Sequence, residues 1–238
     1  MLLTPFRVLV VLAALAACTR SGASARAAAG SVAASSTSVA PTATSLPHDS
    51  ISDLADRGRI AGDSTASVWL IMASDFQCPF CKQWHDESFG RIMQNYVSTG
   101  KIRLAYVNYP LSIHPNAVPA SEAAMCSSVQ NKFWPMHDAL FATQGKWESM
   151  RDPRPVFDSL AAAIGDDTTA YHACVSKHLT LPLIQADHDR ARQAGARSTP
   201  TFFIGGTMLE GAQPYANFQA AIDSALAHAH AGTPNPAR

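Results

Sequence analysis

No net charge and no basic run mark this sequence: 18 Lys and Arg residues face 18 Asp and Glu, and charged residues make up 15% of the whole. The electrostatic footprint of nucleic-acid binding is therefore missing, and with it the case for a polynucleotide or phosphate partner. The chain also lacks an apolar run long enough to cross a bilayer, since the one from Val8 to Ala17 is too short for a stable span. No internal repeat is visible. Cysteines are few, only five, and their placement carries most of what the sequence says.

The start, MLLTPFRVLVVLAALAACTRSG, sets one cation, Arg7, before that short apolar run and reads as an export signal over residues 1–18. It ends Leu15-Ala16-Ala17-Cys18, which resembles a bacterial lipobox, whose cysteine is lipidated and becomes the mature N-terminus. Ordinary cleavage after Ala14-x-Ala16, or further downstream, is the alternative. Residues 19–48 are Ala, Ser, Thr and Gly with scattered Pro, without apolar periodicity, and are expected to form a flexible tether reaching about 30 Å. The folded part is then 49–232, and 233–238 form a disordered tail. With Cys18 set aside, four cysteines remain: the close pair Cys78 and Cys81, and the distant pair Cys126 and Cys174. In an exported protein both pairs are permitted as disulfides.

Val68 to Ser74 is a nearly continuous apolar run, predicted as a strand buried on both faces. Cys78 follows four residues later. From there to Ser98, Phe80, Trp84, Phe89, Ile92, Met93 and Tyr96 recur at helical spacing, with Gly100 as the terminator. Lys101 to Tyr109 alternates as a second strand and completes a βαβ unit. Helical patterning then covers 116–144 in two pieces, 153–165, 168–177 and 182–195. A strand at 201–204, a Gly205-Gly206 turn, a return strand at 207–209 and a helix from Pro214 to Ala231 close the domain.

Three stretches in this order, SDFQCPFC, HPNAVPASEAAMC and RSTPTFFIGG, resemble the DsbA-like thiol-disulfide oxidoreductases. The resemblance implies an α/β fold of thioredoxin type, with a central mixed sheet and an inserted all-helical subdomain at about 112–195. It implies Cys78 as nucleophile, Cys81 as resolving thiol, Pro200 as a cis-proline beside them, and Thr199 and Pro200 as the place where an extended substrate segment binds. It also implies a structural bridge between Cys126 and Cys174, worth roughly 4 kcal/mol for a loop of about 48 residues in the chain-entropy model. The implied activity is disulfide formation, reduction or isomerisation in exported clients, with no cofactor beyond the redox-active Cys78–Cys81 pair, no metal, and an unidentified membrane redox partner. The implied location is the periplasm or cell envelope, lipid-anchored if Cys18 is modified; a monomer is preferred.

The residues support that transfer on their own terms. A thiol at a helix N-terminus sits among unpaired N–H groups at the positive end of the dipole, which lowers its pKa. Pro79 stiffens the first turn where its missing N–H matters little. Three alternatives stand beside this reading. Cys78, Cys81 and His85 offer a C-x-x-C-x-x-x-H zinc run; the close pair can be a permanently closed bridge; or the fold can capture clients without turnover. Two departures matter. Met72 stands where relatives carry a buried acid six residues before the nucleophile, and Phe80 stands where the strongest oxidants have histidine. The expectation is a Cys78 thiolate stabilised by helix and backbone alone, with a pKa of about 5 to 7, and a mild lean to oxidase or isomerase. Asp75 is expected to cap the helix. Histidines 114, 137, 172, 178 and 188 are given surface or packing roles.

Overall fold

The computed structural model describes residues 50–231; the signal segment, the tether, Cys18 and the tail at 233–238 lie outside the described residues. Five strands form one mixed sheet in the order β1-β3-β2-β4-β5. They are β1 (Ile60–Ala61), β2 (Val68–Ser74), β3 (Ile102–Asn108), β4 (Thr201–Ile204) and β5 (Thr207–Glu210). β2 runs parallel to β3 and antiparallel to β4, so that Leu70 stands in register with Leu104 and Ile204, and Met72 with Tyr106 and Phe202. This face is the core, and all six of these side chains are buried.

The opposite face is less covered than the continuous apolar run predicts. Trp69 and Ile71 are only half-buried, and the Arg103 guanidinium lies 4.0 Å from the Trp69 ring centroid, where its cation meets the negative ring face.

Residues 79–97 form one continuous helix after β2, as the periodicity predicts, but two stretches, His85–Phe89 and Met93–Val97, are wound as π-helix. Trp84 packs against Phe202, at 4.6 Å between ring centroids, and against Phe218 at 5.7 Å, while Phe89 reaches the inserted helices at Trp134. Gly100, at φ +71°, terminates the helix as expected; its N–H and that of Lys101 return to the carbonyls of Val97 and Tyr96.

The insertion contains the helices Ala117–Ser128, Phe133–Ala142, Gln144–Trp147, Arg154–Ala163, Thr168–Ser176 and Leu181–Gln193. A disulfide between Cys126 and Cys174 joins the first of these to the fifth. Helix Tyr215–Ala231 packs against β2 and β4, with Phe218 and Ile222 in the core. Three elements were not predicted: the helix Ile51–Gly58, strand β1 and the short helix Gln144–Trp147. Among the described residues no helix is long and apolar enough to cross a membrane.

Candidate active site

β2 ends at Ser74, and residues 75–77 turn the chain into the helix whose N-cap is Cys78. Asp75 does not cap that helix, contrary to expectation. One carboxylate oxygen accepts the Gln77 N–H at 2.8 Å, and the other accepts the Leu111 N–H at 2.9 Å and meets His114 Nδ1 at 2.7 Å. These bonds tie the turn to the segment after β3 and leave the first N–H groups of the helix free. Burial raises the Asp75 pKa even so, because the desolvation of a fully enclosed carboxylate outweighs its donors.

Cys78 and Cys81 are both free thiols here, and both are buried, Cys78 3% exposed and Cys81 1%. The Cys78 thiol is lowered to about 6, first by a hydrogen bond from the Cys81 thiol, then by the Thr199 side chain and by the N–H groups of Cys81 and Phe80, against the opposing effect of burial. Helix and backbone therefore do not act alone, as the sequence suggested; the partner thiol is the larger contributor. Cys81 moves the opposite way. Burial pushes its pKa well up, and a thiolate on Cys78 pushes it further, with the Ser74 hydroxyl and the Asp75 N–H, 3.5 Å from Cys81 Sγ, as partial offsets. Met72 is buried beneath, so no acid stands at that position.

The peptide bond between Thr199 and Pro200 is cis, and the Thr199 carbonyl accepts from Cys78 Sγ at 3.4 Å. The proline loop thus lies against the reactive thiol, as the resemblance implied. Pro79 and Phe80 are exposed, Phe80 to 60%, and mark the surface around the site. His85 does not join the cysteines: its ring nitrogens meet Asp86 at 3.0 Å and Asp138 at 3.1 Å, which removes the third ligand from the C-x-x-C-x-x-x-H reading.

The insertion also holds the site from behind. Gln144 Nε2 donates to the carbonyls of Phe76 and Cys78, at 2.7 and 3.1 Å. The Gln77 amide donates to the Glu148 carbonyl at 2.7 Å and accepts the Asn116 N–H at 2.6 Å. Sequence reasoning assigned none of Gln77, His114, Asn116 and Gln144 to the site, although HPNAVPASEAAMC contains two of them.

Comparison with known proteins agrees with this geometry. A family model described as Thioredoxin matches residues 55–224. A relative named Na(+)/H(+) antiporter NhaA 3, from Salinispora tropica, is 31% identical over 177 residues, which are 73% of this chain and 26% of that protein; the chain thus spans about a quarter of that relative's length. A protein of Bacillus anthracis named Probable disulfide bond formation protein D is 22% identical over 170 residues, 69% of this chain and 76% of the other. The crystal structure of Wolbachia pipientis alpha-DsbA1 superposes with a TM-score of 0.65 at 21% identity, covering 79% of this chain and 95% of that one. With its mixed sheet, its inserted helices and a family match over most of its length, the chain belongs to the thioredoxin family.

Proposed function

We propose that this chain is an exported thiol-disulfide oxidoreductase acting on other exported proteins through Cys78 and Cys81. The observation that carries this reading is the asymmetry of the pair: one thiol held near pKa 6 beside the cis-proline loop, and another, a helical turn deeper, held well above its ordinary value. In the reducing direction the Cys78 thiolate attacks a client disulfide and forms a mixed disulfide, releasing one client sulfur as a thiolate that takes up a proton. Cys81 then loses its proton and attacks Cys78 Sγ; the second client sulfur leaves, and two electrons have passed from the dithiol to the client. Disulfide formation is the same sequence reversed.

The low pKa bears on direction. Only the reduced pair can ionise, so at pH 7 a fall from 9 to about 6 stabilises the dithiol by about 1.4 kcal/mol, or about 30 mV toward an oxidant. That gain is absent below pH 6 and grows toward pH 9. It is about a fifth of the roughly 150 mV between thioredoxin and the strongest oxidants of this type, so the low pKa does not by itself set the direction; the lean to oxidase or isomerase rests on the oxidising compartment that export implies. Clients would dock at Thr199 and Pro200, a membrane redox partner would reset the pair, and the exchange itself would need no redox cofactor beyond the pair. Export follows from the signal at 1–18, and lipidation at Cys18 would tether a monomer in the periplasm or cell envelope.

Cys78→Ala should abolish both insulin reduction and oxidative refolding of a reduced client; retained activity would contradict the assignment. The exposed apolar side chains of Phe80 (60%) and Ile113 (77%) favour a second reading, a tethered client-binding protein without turnover. It predicts client capture that survives serine at both Cys78 and Cys81.

A further inference from the structure

The helix that starts at Cys78 carries a second polar group, one turn beyond Cys81, that thiol exchange does not use. His85 meets His137 and Asp138 of helix Phe133–Ala142. His85 Nε2 is 3.1 Å from Asp138 Oδ1, and His137 Nδ1 is 2.8 Å from the same oxygen. One donor atom from each of the three side chains lies within 4.8 Å of the other two. Two imidazoles and a carboxylate, from helices about fifty residues apart in sequence, thus converge on one small volume.

We propose that His85, His137 and Asp138 bind a divalent transition-metal cation of the zinc class, with His85 Nε2, His137 Nδ1 and the Asp138 carboxylate as ligands and the remaining position left to water. Two nitrogens and one carboxylate oxygen form a donor set that zinc takes in open sites. A tetrahedral ion with bonds of about 2.0–2.1 Å sets its donors about 3.3 Å apart. The two contacts to Asp138 are already close to that edge, and the two imidazole nitrogens lie within 4.8 Å of each other. The Asp138 side chain is 55% exposed, which opens the cluster to an ion from solvent.

A separate observation supports the assignment. His85 Nδ1 lies 3.0 Å from Asp86 Oδ1, the carboxylate partner that typically orients a metal-bound histidine and leaves its other nitrogen's lone pair free for the ion. Lys82 occupies the other oxygen of Asp86 at 2.7 Å and so holds that carboxylate in place. His137 is fully buried, and its Nε2 has no hydrogen-bond partner. With Nδ1 on a cation, Nε2 carries the proton, and Phe76, Tyr106 and Trp134 pack around the imidazole with ring centroids 5.2–5.8 Å from it.

The test uses untagged protein with the Cys78–Cys81 pair oxidised, so that the thiols cannot compete. Calorimetric titration with Zn2+ should give one ion per chain, and Co2+ should give the intense visible bands of a four-coordinate site. His85→Gln and Asp138→Ala should abolish binding, Asp86→Asn should weaken it by about 10-fold or more, and His172→Gln should leave it unchanged, with far-UV circular dichroism reporting that each variant is folded. No binding by the oxidised protein, or binding untouched by both ligand substitutions, would overturn the proposal. Should a ligand variant fail to fold, the Asp86→Asn arm decides: unchanged affinity there counts against the site.

Discussion

The two cysteine pairs differ in everything except chemistry. Cys78 and Cys81 are three positions apart, stand as free thiols at a helix start and face the proline loop; Cys126 and Cys174 are 48 positions apart, are joined, and lie within the insertion. Closing the short loop restricts the unfolded chain by only about 2 kcal/mol, against about 4 for the long one. The near pair gains little stability from being shut, and its thiols have split pKa values that suit exchange. The far pair locks two helices of the insertion. Loop length and local electrostatics, not cysteine content, separate a reactive pair from a permanent one.

The comparison is most easily broken at Cys78. Cys78→Ala should lower exchange rates by on the order of a thousandfold or more, to the background of uncatalysed thiols, in an insulin turbidity assay. Cys126→Ala with Cys174→Ala should leave those rates nearly intact while lowering unfolding free energy by about 4 kcal/mol in urea melts. Activity lost with the second pair, or stability lost with the first, would reverse the roles. A smaller effect is expected at the clamp. Gln144→Ala leaves the buried carbonyls of Phe76 and Cys78 without that donor and should cost about 1–3 kcal/mol.

Much of this was legible before the structure. β2, β3, the hairpin and the start and end of the helix at 79–97 follow from apolar period and turn glycines, because each signal is local. The helix Ile51–Gly58 has a local signal too, a capping box of Ser50 and Asp53, but it directly follows the Ala/Ser/Thr-rich stretch. Strand β1 has only two residues and exists because its backbone pairs with Leu104 and Ala105. The π-wound stretches leave no mark in a pattern scored at 3.6 residues per turn. The polar clamp was invisible for a different reason. Gln144 and Asn116 act on backbone atoms dozens of residues away, and Asp75 turned out to anchor the segment after β3 instead of the helix, since Leu111 and His114 come within reach only when β3 lies beside β2. Giving His114 and His137 surface or packing roles likewise hid the contact of His114 with Asp75 and the cluster of His137 with His85 and Asp138, and His85 stands out in the sequence only beside the cysteines.

The central claim is that Cys78 is ionised near neutrality by its partner thiol, the proline loop and the first N–H groups of its helix. The rate of iodoacetamide alkylation of the reduced protein, followed from pH 4 to 10 with Cys81→Ser beside it, tests this directly. The account predicts a Cys78 inflection near pH 6 that moves upward when the Cys81 thiol is removed. An inflection near 8.5, that of an ordinary cysteine, or a thiol that resists alkylation throughout the range, would contradict it.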